Sequence, residues 1–141
     1  ERLPSLYAIR LKSLMERRDW FWITGNHDPD RPADLPGDCV EELAIGTLTF
    51  RPEPSRLEAT GEAAGHLHPA ARIVRRGRSV RRPCCASDGE RLIMPAFGAY
   101  TGALNVLDRA FRGLFVDASL RAHMLGQGKI YPTAHGALVG G

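Results

Sequence analysis

The order of apolar and polar positions divides the chain into one helix followed by a series of short strands. Over residues 4–18, apolar side chains recur every three or four positions, which predicts an amphipathic helix with one face packed on a sheet. Residues 20–24 are all aromatic or β-branched and predict a short buried strand. Residues 25–37 are rich in Pro, Asp, Asn and Gly, so we expect an irregular loop that is long enough to be functional.

Alternating apolar residues predict further strands, which are separated by turns that contain glycine. The predicted strand segments are 39–50 (a hairpin that turns at Gly46), 62–65, 71–76, 79–86, 91–94, 129–131 and 137–139. The strands 71–76 and 79–86 are joined at Gly77, and residues 110–125 have weak helical character. Together these elements predict an α/β domain.

The composition is that of an ordinary globular protein. Of the 141 residues, 43% are hydrophobic and 25% are charged, which suits one domain with a core. No apolar run approaches the roughly 20 residues of a membrane helix, and the segments of a signal peptide are missing. We therefore expect a cytoplasmic protein with no membrane partner. The three cysteines lack disulfide or C-x-x-C spacing and are predicted to be buried free thiols.

Three side chains that can bind a metal ion or transfer a proton follow Gly25. The amide oxygen of Asn26 can ligate a divalent cation, His27 can donate a proton to a leaving alkoxide, and Asp28 can fix the tautomer of that imidazole. The same residues are also good turn formers, and the tetrapeptide alone supports both readings equally. The strand predicted just before them favours a site, because ligand-binding loops of open α/β sheets follow the strands.

A second cluster consists of His66 and His68, separated by one residue. In an extended backbone this spacing directs both imidazoles to the same side, where both can reach one metal ion or a bridged pair. A lone His-x-His on a surface loop commonly has no function. Its presence in the same short chain as the cluster at 26–28 favours a metal site.

These two clusters, Gly-Asn-His-Asp at 25–28 and Gly-His-Leu-His at 65–68, resemble the motifs of the calcineurin-like metallophosphoesterases, a family of dinuclear-metal phosphatases and phosphodiesterases. The segments 65–72, 78–84, 95–102 and 104–106 further resemble its branch of ligase-associated DNA damage response endonucleases, PdeM. The resemblance runs from about residue 18 to about residue 131. It implies an N-terminally incomplete αββα sandwich, with residues 1–141 forming the C-terminal two-thirds of a single metallophosphoesterase domain.

The resemblance also implies a role for each matching residue. Asn26 and His66 would ligate the second metal ion and His68 the first, while His27 would be the general acid or transition-state stabiliser with Asp28 as its partner. The cofactor would be two divalent ions, manganese or alternatively iron or zinc, which supply a bridging hydroxide for in-line attack on phosphorus. The substrate would be DNA under repair, and the partners a DNA ligase and a helicase of the same repair system.

The chain departs from the family pattern in three places. No Asp-x-His and no Gly-Asp-x-x-Asp precede Asn26, and Pro52 stands where the branch has a histidine. The remaining ligands, Asn26, His66 and His68, are too few to hold two dications tightly. We therefore expect a chain that lacks the N-terminal third of its domain and binds the second metal weakly. The alternative is a non-catalytic member that binds nucleic acid or a repair partner, and a small-molecule phosphatase is a third hypothesis.

Positive charge is concentrated in one segment, although the net charge is only +3. Within eleven residues the chain carries Arg72, Arg75, Arg76, Arg78, Arg81 and Arg82. We predict that Arg72, Arg75, Arg78 and Arg81 contact the phosphates of a nucleic acid. An equally good reading is a solvated face whose arginines pair with Glu and Asp.

Other polar residues are predicted to have structural roles. In the glycine-rich segment 95–105, we expect Tyr100 and Asn105 to pack or to hydrogen-bond the loop rather than to contact substrate. Cys84 and Cys85 are adjacent strand residues that face opposite ways, and neither has an orienting His or Asp in sequence. We therefore do not expect a cysteine nucleophile.

Overall fold

The computed structural model describes residues 4–25, 31–32, 34–57, 59–98 and 100–141. The chain divides into two compact units, Glu1–Leu43 and Ala44–Gly141. The fold is mixed α/β, as predicted, with few helices and one large sheet. Within the described ranges, no helix is both long and apolar enough to cross a membrane.

In its described residues, the first unit contains one helix and a small sheet. Helix α1 covers Ser5–Met15 and follows Pro4, whose fixed φ and missing N–H suit the start of a helix. Strands β1 (Phe21–Ile23) and β2 (Asp38–Val40) pair in parallel. The predicted burial is wrong for both elements, because most apolar side chains of α1 are exposed and β1 is only half-buried. A sheet of two strands with three residues each is too small to cover them.

The second unit is built on a sheet of nine strands. These are β3 (Leu43–Ile45), β4 (Leu48–Arg51), β5 (Glu62–Ala64), β6 (Pro69–Arg75), β7 (Arg78–Ser87), β8 (Arg91–Ile93), β9 (Leu104–Asn105), β10 (Arg121–Leu125) and β11 (Ile130–Ala134). The main path is β11-β10-β7-β8-β5-β4-β3, and β6 lies between β7 and β9. Strands β4, β5 and β8 are mutually parallel, whereas β7 is antiparallel to β6, β8 and β10. The strands predicted at 62–65, 71–76, 79–86 and 91–94 are thus confirmed. The hairpin predicted at 39–50 is confirmed only over β3 and β4, because residues 38–40 belong to β2 of the small sheet.

Two predictions for the C-terminal part are wrong. The segment 110–125 forms no α-helix; it contains a single 3-10 turn (Arg109–Phe111) and strand β10. Strand β10 pairs with β7 on one side and β11 on the other, and these neighbours decide its structure more strongly than its weak local preference. In place of the strand predicted at 137–139, the chain forms a 3-10 turn at His135–Ala137.

Two clusters of buried apolar side chains support the sheet. The larger cluster consists of Ala71, Cys84, Ala86, Val106, Leu120, Ala122, Met124 and Leu138. The smaller cluster consists of Leu67, Ile93, Phe111 and Leu114. Leu67 lies between the two histidines of the sequence motif, so the second cluster fixes the loop that carries them.

A buried ion pair joins the first residues of β5 and β8. The carboxylate of Glu62 accepts a hydrogen bond from Nε of Arg91 at 2.7 Å, and both side chains are almost completely buried. The backbone N–H of Ser55 donates to the other carboxylate oxygen at 2.6 Å. The two terminal nitrogens of Arg91 donate to the carbonyls of Leu114 (2.7 Å) and Leu57 (2.9 Å). The pair therefore ties two connecting segments to the middle of the sheet.

Glu62→Gln should lower the free energy of unfolding by about 3–5 kcal/mol, because it leaves the Arg91 guanidinium buried without its counter-charge. Urea denaturation followed by circular dichroism measures this change. Glu90→Gln is the matched control, since it makes the same charge change at an exposed position and should alter stability by no more than about 0.5 kcal/mol. Equal losses in the two variants would contradict a structural role for the pair.

Candidate functional site

The carboxyl ends of three parallel strands meet at one edge of the second unit's sheet. Strands β4, β5 and β8 are in register, with Arg51 opposite Ala64 and Ala64 opposite Ile93. The chain leaves these strands at residues 52, 65 and 94, and hydrogen bonds join the three exits: Gly65 donates to the carbonyl of Pro52 (3.1 Å), and Met94 to that of Ala64 (2.8 Å). Such an edge is where α/β sheets bind ligands, and we call it the carboxyl edge.

The two histidines leave β5 at this edge, in a backbone that is not extended. His66 has φ +64° and His68 has φ +45°, so both adopt the left-handed conformation. The N–H of Leu67 donates to the carbonyl of Gly65 at 2.8 Å, as in a γ-turn, and the positive φ of His66 corresponds to the rarer, strained form of that turn. The extended backbone assumed from the His-x-His spacing is therefore wrong.

Burial separates the two histidines from the residue between them. Leu67 is 8% exposed and packs in the smaller apolar cluster, whereas His66 is exposed and His68 is half-buried. The carbonyl of His68 accepts a hydrogen bond from Leu104 at 3.1 Å, and the following Pro69 pairs with Leu104 in the sheet. The loop is therefore held from the core by Leu67 and from its far end by β9.

A carboxylate outside the two sequence motifs lies beside His66. Glu53 follows the end of β4, and its Oε1 is 3.6 Å from Nδ1 of His66. This distance is longer than a hydrogen bond but short enough for an ion pair when the imidazole is protonated. Pro52 occupies the position where the resemblance expects a histidine, and the next residue brings an acidic group to the same edge. The sequence could not show this, because the strand order β4-β5-β8 is not visible in it.

The described residues do not form a complete metal site by themselves. Among the described parts of the chain, no group of three or more His, Cys, Asp or Glu side chains is placed to hold a metal ion. The imidazoles of His66 and His68 are suitable donors for manganese, iron or zinc, but a protein site usually needs at least one more ligand. The predicted residues Asn26, His27 and Asp28 lie outside the described residues. The two-metal site thus stays a prediction.

The arginine-rich segment forms the hairpin of β6 and β7, with a two-residue turn at Arg76 and Gly77. Both turn residues have positive φ (+51° and +74°), as a type I′ turn requires. The cross-strand register divides the four predicted nucleic-acid contacts between two faces. Arg72 lies opposite Arg81 on one face, and Arg75 opposite Arg78 on the other.

The two arginine pairs differ in their hydrogen bonds: Arg72 and Arg81 donate to atoms of the protein, whereas Arg75 and Arg78 make no side-chain hydrogen bond among the described residues. Arg72 donates to Oγ of Ser79 (2.8 Å) and to the carbonyl of Gly140 (3.2 Å), and Arg81 donates to the carbonyl of Ala103 (2.5 Å). None of the six hairpin arginines forms an ion pair with a carboxylate of the described residues. The alternative in which these arginines pair with Glu and Asp is therefore not found in the described part of the chain.

Of the two residues in the glycine-rich segment that were predicted to have structural roles, one has such a role and the other does not. Asn105 has the structural role that we expected, since its amide donates to the carbonyl of Val139 (3.0 Å) and accepts from the N–H of Leu107 (2.9 Å). Tyr100 does not pack, because it is fully exposed.

The cysteines have no place in the candidate site. Cys84 is buried as predicted, and this burial, with a smaller effect from neighbouring Cys85, raises the pKa of its thiol to about 12. Such a thiol is almost never ionised at neutral pH and is a poor nucleophile. The prediction of buried thiols is wrong for Cys39, which is exposed, while Cys85 is half-buried.

Comparisons with known proteins support the fold. No protein family and no curated protein matches the sequence. Among solved structures, the chain is similar to the crystal structure of Pseudomonas putida nuclease MPE, with a TM-score of 0.64 and 24% sequence identity. The match covers 90% of this chain and 60% of that one, so this chain spans about 60% of the length of the solved protein. The two proteins share a mixed α/β fold.

Proposed function

We propose that this chain belongs to a metal-dependent phosphodiesterase that acts on DNA, built on an αββα sandwich of the metallophosphoesterase type. The observation that carries the proposal is the strained pair of histidines at the carboxyl edge. The fold that the chain shares with a protein described as a nuclease supports it, and so do the arginines of the β6–β7 hairpin.

The strain in the histidine loop needs an explanation beyond folding. A left-handed conformation costs a residue other than glycine about 1–2 kcal/mol, and His66 and His68 both adopt it within three positions. Strained backbone of this kind is concentrated at binding and catalytic sites. Glycine would serve at both positions if the loop only had to turn. Histidine at both positions therefore argues that the imidazoles themselves are required.

The imidazoles and the nearby carboxylate suit a metal site that holds a phosphate. In the proposed site, His66 and His68 would ligate the ions, and Glu53 would orient the ring of His66. Asn26 as a further ligand, and His27 with Asp28 as the group that protonates the leaving oxygen, would have the roles that the resemblance implies. Two divalent ions, most simply manganese, would polarise the phosphoryl oxygens and lower the pKa of the attacking water. The hairpin arginines would hold the phosphates on either side of the reacting one.

One observation favours a second function. Pro52 replaces a ligand expected from the resemblance, and the described residues contain no group of three ligands. A non-catalytic member that binds nucleic acid through the hairpin would keep the arginines without needing the metal. The two functions share nucleic-acid binding and differ in metal content and hydrolysis.

Metal content and phosphodiester hydrolysis separate the two functions. After exposure to manganese and removal of the excess, elemental mass spectrometry should find bound metal in the wild-type chain and much less in His68→Ala. Hydrolysis of a labelled DNA oligonucleotide should be lost in His68→Ala and fall about 10- to 100-fold in Glu53→Gln, because Glu53 acts through His66. His123→Ala, on β10, is the matched control and should retain both properties. A chain that binds DNA without metal or hydrolysis would establish the non-catalytic function instead.

The strain in the histidine loop has a separate test in stability. His68→Gly should have a higher free energy of unfolding than His68→Ala by about 1 kcal/mol, because glycine adopts positive φ without a steric cost. At His123, in an extended strand, the order should reverse, with glycine less stable than alanine by about 0.5–1 kcal/mol. Chemical denaturation of the four variants measures both differences. A more stable alanine at position 68 would remove the strain argument.

A further inference from the structure

Two aromatic rings are fully exposed in the segment that leaves β8 at the carboxyl edge. Phe97 is 94% exposed and Tyr100 103% exposed. Aromatic side chains contribute much of the apolar area that proteins bury, and these two are the most exposed large hydrophobic side chains among the described residues. Strongly exposed apolar side chains on one segment suit a binding surface. We call residues 94–98 and 100–103 the aromatic segment.

The aromatic segment begins and ends beside the histidine loop. At its start, Met94 donates to the carbonyl of Ala64 at 2.8 Å; just after its end, Leu104 donates to the carbonyl of His68 at 3.1 Å. Phe97 is three residues from the first anchor and Tyr100 four from the second, which places their Cα atoms within roughly 15 Å of the anchors. Both rings therefore belong to a segment whose two ends are anchored beside the histidine loop.

The charges around the aromatic segment indicate the kind of partner. Arg81 of the hairpin donates to the carbonyl of Ala103 at 2.5 Å, which joins the cationic hairpin directly to the segment. The sequence contains no Asp or Glu in residues 63–87 or 91–107, while the hairpin alone carries six arginines. A protein partner that covered two aromatic rings would not need six arginines without a neighbouring carboxylate. A polyanion that also carries flat apolar groups would use both features.

We propose that Phe97 and Tyr100 form a nucleobase-stacking site that holds unpaired nucleotides on the aromatic segment, whose two ends are anchored beside the histidine loop. A single nucleic acid strand presents phosphates for arginines and free base faces for aromatic rings. In a duplex the base faces are already stacked on one another, so the rings can bind only nucleotides that are unpaired or flipped out. The inference rests on the proposed function for its nucleic acid ligand but not for hydrolysis.

Binding measured without catalysis tests the stacking site. Fluorescence anisotropy of a labelled oligothymidylate in the presence of EDTA should show a Kd that rises about 5- to 150-fold for Phe97→Ala or Tyr100→Ala, the effect expected for one stacked base. Tyr100→Phe and Phe97→Trp keep a flat ring and should bind like the wild type. Tyr131→Ala is the matched control, because this exposed tyrosine lies on the edge strand β11, three strands away from β8.

Two further readouts distinguish stacking from a general loss of structure. The salt dependence of binding should be unchanged in the aromatic variants, because no charge is removed, and should become shallower in Arg78→Gln. The new indole of Phe97→Trp should be quenched when the oligonucleotide binds. Affinity for a blunt duplex should not change in Phe97→Ala.

Each failure has a distinct meaning. Unchanged oligothymidylate binding in the double variant Phe97→Ala/Tyr100→Ala overturns the stacking site and leaves the proposed hydrolysis standing if the wild type still cleaves DNA with manganese. Equal weakening of single-strand and duplex binding also overturns it. Binding that depends on the rings without any hydrolysis supports the stacking site and contradicts the proposed enzyme. A wild-type dimer that dissociates in the double variant would show that a second copy covers the rings, which overturns the inference.

Discussion

The position of the candidate site depends on the buried ion pair between Glu62 and Arg91. Each is the first residue of a three-residue strand, so fixing this pair also fixes the register at the other end, where Ala64 lies opposite Ile93. A buried ion pair is stable only when its remaining hydrogen-bonding groups are satisfied. Here all three guanidinium nitrogens donate, and both carboxylate oxygens accept. The pair therefore aligns the exits of β5 and β8, from which the histidine loop and the aromatic segment begin.

The short distance between β5 and β6 explains the conformation of the histidine loop. Only four residues separate Ala64 from Pro69, and the chain must leave β5 and enter β6 beside β9 within that length. An extended His-x-His would also place Leu67 opposite both imidazoles, but it could not turn the chain. Positive φ at two positions makes the turn, and burial of Leu67 contributes about 1.5–3 kcal/mol to hold it. The loop thus combines a packing anchor with one exposed and one half-buried imidazole.

The sequence predicts the elements whose signal is local and misses those that depend on partners. Alternating residues and the turn at Gly77 predict the hairpin, and its two-residue turn also sets the register that pairs Arg72 with Arg81. In contrast, β10 has no local strand signal, because Ala122, His123 and Met124 suit a helix equally well until β7 and β11 flank them. The approach of Glu53 to His66 likewise depends on strand order. The exposure of Tyr100 could not be predicted, since small neighbouring residues allow both a packed and an open segment.

The two faces of the hairpin would contribute differently to a bound nucleic acid strand. Arg72 and Arg81 are already held by carbonyl oxygens and a hydroxyl, and a guanidinium has five N–H donors, so each keeps donors for a phosphate. Ordering a free arginine side chain on binding costs about 0.5–1.5 kcal/mol of conformational entropy. Arg72 and Arg81 are already largely ordered in the folded protein, so they would lose less on binding. Arg75 and Arg78 are exposed on the other face and have no such anchors among the described residues. Arg81 is hydrogen-bonded to the aromatic segment, so the anchored face would hold a nucleic acid strand next to that segment, while the exposed face would mainly attract the strand at long range.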